Sequence, residues 1–161
     1  MTDRDSVVTA LAGGWFGSGL SPHARSQLAY CATLRPYPAG AVILREGDET
    51  DPFGVVTAGR VALRLLVPER GEATIMTVEP GDVVGWSALV PPRRSTSTAV
   101  ALEPTTLLAF DVGELRRALL DDAELAATVY PRLLEAVARR LGATRHQLLD
   151  LYAQQAEPVP W

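Results

Sequence analysis

The chain has 161 residues, 47% of them hydrophobic and 21% charged, a size and balance that suit one globular domain and exclude a disordered, collagenous or rod-like chain. A formal net charge of −4 opposes the electrostatic attraction behind non-specific nucleic-acid binding. The one cysteine, Cys31, excludes an internal disulfide framework and fits a reducing compartment. The first residues, Met1 to Asp5, lead into no apolar run, and no apolar stretch is long enough to span a bilayer, so a cytoplasmic chain without membrane contact is expected.

Residues 1–35 are predicted to form two helices. Val7, Val8 and Leu11 share one face, and Ser21-Pro22 supplies an N-cap followed by proline at the first helical position. A glycine-rich turn, Gly13 to Gly17, separates them, and Trp15-Phe16 within it is expected to pack the helices onto the rest of the domain. The second helix carries Leu28, Cys31 and Ala32 or Leu34 inward and must stop by Pro36, because the residue before proline avoids the helical region.

Residues 36–110 change texture to short apolar runs broken by Gly, Pro and Asp about every ten residues, the pattern of a many-stranded antiparallel roll. Alternation is visible in Val61, Leu63, Leu65 and Val67 and again in Thr106, Leu108 and Phe110. Turns are expected at Pro38-Ala39-Gly40, Glu46-Gly47-Asp48, Ala58-Gly59, Glu69-Arg70-Gly71 and Pro80-Gly81-Asp82.

Residues 111–154 return to helix. Asp111 is a candidate N-cap, a short helix follows it, and a long helix begins after Asp122, with Pro131 expected to kink or restart it. Leu134, Val137, Leu141, Thr144, Leu148 and Leu151 follow one another at spacings of three and four, the rhythm of a coiled-coil seam. A homodimer through this helix is therefore expected; the alternative is that the stripe lies on the β-domain. Glu157 to Trp161 cannot continue a helix, and residues 155–161 are expected to form a flexible tail, with Trp161 as a candidate docking residue.

The only histidines, His23 and His146, both fall on predicted helices. No metal triad and no nucleophile-histidine arrangement can be assembled from them, so neither an enzyme nor a metal or other cofactor is expected.

The order of two helices, about eight short strands, a short helix and a long helix resembles the cyclic nucleotide-binding domain of the catabolite activator (Crp/Fnr-like) family. Pro38-Ala39-Gly40, Ile43 to Asp48, Asp51, Phe53, Val56, Gly59 and Val61 match that family's opening pattern, and Pro80-Gly81-Asp82 followed by Gly85 matches the approach to its phosphate-binding segment. The resemblance implies a mainly β fold, a jelly-roll-like double-stranded β-helix with flanking helices, in one domain over residues 1–154. It also implies a ligand, cAMP or another cyclic nucleotide.

In the family a Gly-Glu pair opens a short helix facing the cyclic phosphate, the glutamate accepts the ribose hydroxyl, and an arginine neutralises the phosphate. The matching segment here runs from Gly85, Trp86, Ser87 and Ala88 to Arg93, Arg94, Ser95 and Thr96. Trp86 stands where the glutamate is expected, and an indole N–H donates but does not accept. Ser87 is then the candidate acceptor, and Arg93 or Arg94 the candidate phosphate partner, unless the pair is merely solvated. Ser95 and Thr96 are candidate phosphate ligands. Ala138-Arg139-Arg140-Leu141 ending in Thr144 resembles the activator's long helix, which gives Thr144 a contact with the base; the alternative is a tolerated polar residue of the seam.

Gly85-Trp86-Ser87 with Pro91-Pro92 also resembles a subgroup of short bacterial proteins consisting of this domain alone. The family's regulators continue into a helix-turn-helix, whereas this chain ends about ten residues past the long helix, so DNA binding by the family's route is not expected. The resulting expectation is a non-enzymatic sensor that dimerises and signals to a protein partner. The alternative is a scaffold or protein-interaction domain of the same fold, with Trp86 filling a ligand-free pocket.

Overall fold

The computed structural model describes residues 3–155; the Pro-Trp ending, with Trp161, lies outside them. Helix α1 (Asp3–Ala12) buries Val7 and Leu11, and α2 (Pro22–Tyr30) starts at Ser21, whose hydroxyl accepts the Ala24 N–H at 3.1 Å. Eight strands follow: β1 (Ala32–Tyr37), β2 (Val42–Leu44), β3 (Phe53–Ala58), β4 (Val61–Val67), β5 (Gly71–Val78), β6 (Val83–Val84), β7 (Thr98–Ala101) and β8 (Thr105–Phe110). The chain then forms α3 (Val112–Asp121) and α4 (Ala123–Gln155).

The strands make two four-stranded antiparallel sheets, ordered β1-β8-β3-β6 and β2-β7-β4-β5. β8 illustrates why period two matters. Leu107 and Ala109 point into the roll with Val56, Val61 and Leu63, while Leu108 and Phe110 point to the other face, where the helices pack. On that face Phe53 and Phe110 lie 5.5 Å apart by ring centroid, and Phe16, from the turn after α1, sits 6.1 Å from each. The Trp15-Phe16 turn thus anchors the N-terminal helices to the roll.

One element departs from the sequence reading. The second helix ends at Tyr30, and Ala32 to Tyr37 form a strand paired along its whole length with β8, from Ala32 opposite Phe110 to Tyr37 opposite Thr105. The roll therefore begins at Ala32 and not at residue 36. The ladder offered by β8 outweighs local helical pattern, and Pro36 is tolerated because β1 is an edge strand. Cys31 and Ala32 are buried as expected, while Leu34 is only half-buried.

Asp111 caps α3, its carboxylate accepting the Glu114 N–H at 2.8 Å, and Asp122 accepts the Leu125 N–H at 3.0 Å at the start of α4. α4 runs without interruption through Pro131, held on both sides of it by Val129 and Leu133 in the core. Leu125, Val129, Leu133 and Ala136 form its buried stripe. Beside that stripe Leu134, Leu141, Leu148 and Leu151 are between 51% and 70% exposed.

Candidate ligand-binding site

The segment between β6 and β7 is held by Gly85. Its φ of 76° is left-handed, and a Cβ there would come within 2.2 Å of the Pro52 carbonyl oxygen, so no other residue fits without displacing backbone. Trp86 to Leu89 follow as one 3-10 turn in which Ser87, Ala88 and Leu89 are buried.

Behind this turn lies a knot of hydroxyls. Thr50, 2% exposed, places its Oγ1 2.8 Å from the Ser87 Oγ and 3.1 Å from the Ser95 Oγ. Backbone bonds fasten the same region: the Thr50 N–H donates to the Arg93 carbonyl at 2.9 Å, and the Ser95 N–H to that of Asp48 at 2.8 Å. Thr50 carries no pattern in the sequence that would mark it.

In front of the turn a cavity opens between the roll and α4. Its larger part, about 320 Å³, is lined by Leu63, Leu65, Trp86, Thr96, Arg140 and Thr144, among others. A tighter cleft of about 20 Å³ continues from it, bounded by Gly85, Ser87, Ser95, Ser97 and again Trp86, Thr96 and Arg140. The larger volume is at the lower end of what small-molecule sites offer.

Most of the sequence candidates therefore converge. Gly85, Trp86, Ser87, Ser95 and Thr96 line the cleft, and Thr144 lines the larger part from α4. Ala88 is fully buried and lines neither. Arg93 and Arg94 are exposed and line neither part; the Arg94 guanidinium instead donates to the Gly47 carbonyl at 2.8 Å. Arg93 occupies a positive φ of 59° on the turn after the two prolines.

Like Thr50, Arg140 is passed over as a site residue in the sequence reading. It donates to the Val83 carbonyl and lines both parts of the cavity. Burial pushes its guanidinium down to about 10, opposed by the charge of Asp82. Among the described residues no cluster of His, Cys, Asp and Glu could hold a metal ion, and no helix is long and apolar enough to cross a membrane.

The cavity lies between the roll and α4, walled by the turn after Gly85, and known proteins of similar sequence and fold bear on what such a cavity holds. The family model for the cyclic nucleotide-binding domain matches residues 34–122, over half of the chain. The chain belongs to the cyclic nucleotide-binding domain family. It is 26% identical over 133 residues to a CRP-like cAMP-activated global transcriptional regulator of Mycobacterium tuberculosis, covering 83% of this chain and 58% of the relative. With the cyclic AMP receptor protein of Thermus thermophilus it is 31% identical over 122 residues, 73% of this chain and 56% of that one. The chain thus spans little more than half the length of these relatives. In fold it matches a cyclic nucleotide-binding domain from Methylobacillus flagellatus, with a TM-score of 0.78 at 19% identity over 98% of this chain and 86% of the other. The mainly β architecture with N-terminal helices and a long C-terminal helix is that of the family.

Proposed function

We propose that this domain is a non-enzymatic sensor that binds a cyclic nucleotide such as cAMP, acts as a homodimer in the cytoplasm and signals to a protein partner. The observation that carries the reading is the cavity of about 320 Å³ whose walls come from two bodies, Trp86 and Thr96 on the roll and Thr144 on α4. A ligand touching both would favour one placement of α4 over another, which is the differential contact that signalling needs. The Trp86 ring takes the place of the family's glutamate and offers a face for stacking in exchange for the lost acceptor.

The proposed dimer seam is the exposed row Leu134, Leu141, Leu148 and Leu151, continued by half-buried Val137 and by Thr144. Apolar residues at this spacing on an exposed face match a partner helix of the same kind. Leu141→Glu with Leu148→Glu should convert a dimer to a monomer in sedimentation velocity; a monomeric wild type removes the dimer from the proposal.

A second reading, a ligand-free interaction domain, is favoured by the small cleft of about 20 Å³ beneath Trp86, where Ser87 and Ser95 already satisfy each other through Thr50. Calorimetric titration with cAMP and cGMP separates the two. Micromolar binding with a matching rise in Tm supports the sensor. Absence of heat and of thermal stabilisation at millimolar nucleotide supports the interaction domain.

A further inference from the structure

The buried stripe of α4 steps from Leu125 to Val129, Leu133 and Ala136, residues between 0% and 5% exposed. The next position on it, four residues on, is Arg140. A guanidinium thus stands where the helix otherwise presents apolar side chains to the roll, and it reaches the Val83 carbonyl. Among the described residues no carboxylate lies within ion-pair distance of it; Asp82, the acid whose field reaches it, is engaged by Arg139 at 3.7 Å. Arg140 is half-buried, and a partly desolvated cation without a paired anion carries a cost that an anion bound against it offsets.

The surroundings suit an anion. Ser87, Ser95, Thr96 and Ser97 line the cleft with Arg140, the hydroxyls of the first two being bonded to Thr50, and no acidic residue lines either part of the cavity. Arg93 and Arg94 are outside it. We propose that Arg140 on the long helix, and not Arg93 or Arg94 on the roll, neutralises the phosphate of the bound nucleotide. This rests on the cyclic nucleotide reading above and adds a consequence to it: the ligand's charge ties α4 directly to the roll, so charge recognition and helix placement are one event. Burial lowers the guanidinium to about 10 and leaves it cationic at neutral pH.

The test is calorimetric titration with cAMP of the wild type, Arg140→Gln, Arg140→Lys and the Arg93→Ala/Arg94→Ala double variant, with thermal melts of each without ligand. Loss of a charge-assisted bond should weaken binding on the order of ten- to hundredfold in Arg140→Gln, less in Arg140→Lys, and leave the double variant like the wild type. Without ligand, Arg140→Gln should melt close to the wild type, because loss of the bond to the Val83 carbonyl is offset by removal of a half-buried charge that has no paired anion; a merely structural arginine would give a clearly lower Tm. Wild-type affinity in Arg140→Gln, or binding lost in the double variant, overturns the inference and leaves the sensor reading standing. A wild type that binds neither cAMP nor cGMP overturns the sensor reading and the inference with it. Should Arg140→Gln fail to fold, binding lost in the double variant, altered only at exposed positions, still overturns the inference, and weakened binding in a folded Arg140→Lys with the double variant unchanged supports it.

Discussion

The Arg139 guanidinium carbon lies 4.1 Å from the centroid of the Trp15 ring, stacking a residue of the long helix on the turn that follows α1. The same guanidinium reaches an Asp82 carboxylate oxygen at 3.7 Å, on the turn between β5 and β6. Three segments distant in sequence therefore meet at one side chain, next to Arg140 on the helix. Arg132, two turns earlier on α4, donates to the Phe16 carbonyl at 2.7 Å and to that of Ser18, which fastens the same turn again.

A double-mutant cycle on Trp15→Ala and Arg139→Ala should show this contact. The coupling energy expected from a partly exposed cation-π pair is about 0.5–2 kcal/mol. Urea unfolding of the four proteins measures it, and additive single effects would mean that the stacking adds nothing to stability. Arg139→Lys should retain part of the coupling, since lysine keeps the charge but loses the planar fit.

Two glycines offer opposite outcomes for one substitution. At Gly85 alanine meets both a left-handed backbone and the Pro52 oxygen at 2.2 Å, so Gly85→Ala should destabilise by roughly 1–3 kcal/mol or more. Gly142 lies inside α4, where an added methyl group would have nothing within 4 Å of it, and Gly142→Ala should stabilise by about 0.4–1 kcal/mol through a less flexible unfolded chain. Denaturant midpoints at unchanged slope check both.

Thr50 is the hub of the buried hydroxyls. Thr50→Val keeps the shape of the side chain but removes the partner of both Ser87 and Ser95. Leaving buried polar groups unpaired should lower stability by about 1–3 kcal/mol. Thr50→Ser restores the hydroxyl and should recover most of that loss in the same unfolding experiment. A valine variant as stable as the wild type would show that the serines find other partners.

How much of this is legible in the sequence follows from how local each signal is. Ser21 and Asp111 cap their helices through bonds three residues long, and the positive φ values of Gly40, Gly47, Gly59, Gly71 and Gly81 sit at the turns that the sequence marks. β1 is not legible, because what makes Ala32 to Tyr37 a strand is β8, more than sixty residues further along. The arginine assignment has the same weakness. Arg93 and Arg94 stand out by their place in a segment, whereas the cavity is closed by α4, and the leucine row on that helix masks the weaker stripe of Leu125, Val129, Leu133 and Ala136. Extending that stripe by one step points to Arg140. Thr50, a single threonine in a connection, carries no periodic signal at all.

The His23 imidazole and the Asp122 carboxylate, 2.5 Å apart, join α2 to the junction of α3 and α4. The hydrogen bond to Asp122 and then its charge raise the His23 pKa above its ordinary 6.5. The Leu125 N–H and then His23 hold Asp122 below its ordinary 3.8. Because the folded value of His23 is raised, its contribution to stability is full below the unfolded value and is lost as the pH rises through the folded one. Because that of Asp122 is lowered, its contribution is present above the unfolded value and is lost as the pH falls through the folded one. The pair is therefore strongest between the two ordinary values and fades toward alkaline pH. Both side chains face solvent, so salt should also weaken it. Thermal melts of the wild type and His23→Gln at about pH 5.5 and about pH 8 should show the larger gap in Tm at the lower pH. An equal gap at both would mean that the bond holds as well with a neutral ring, and that its charge adds nothing to the joint.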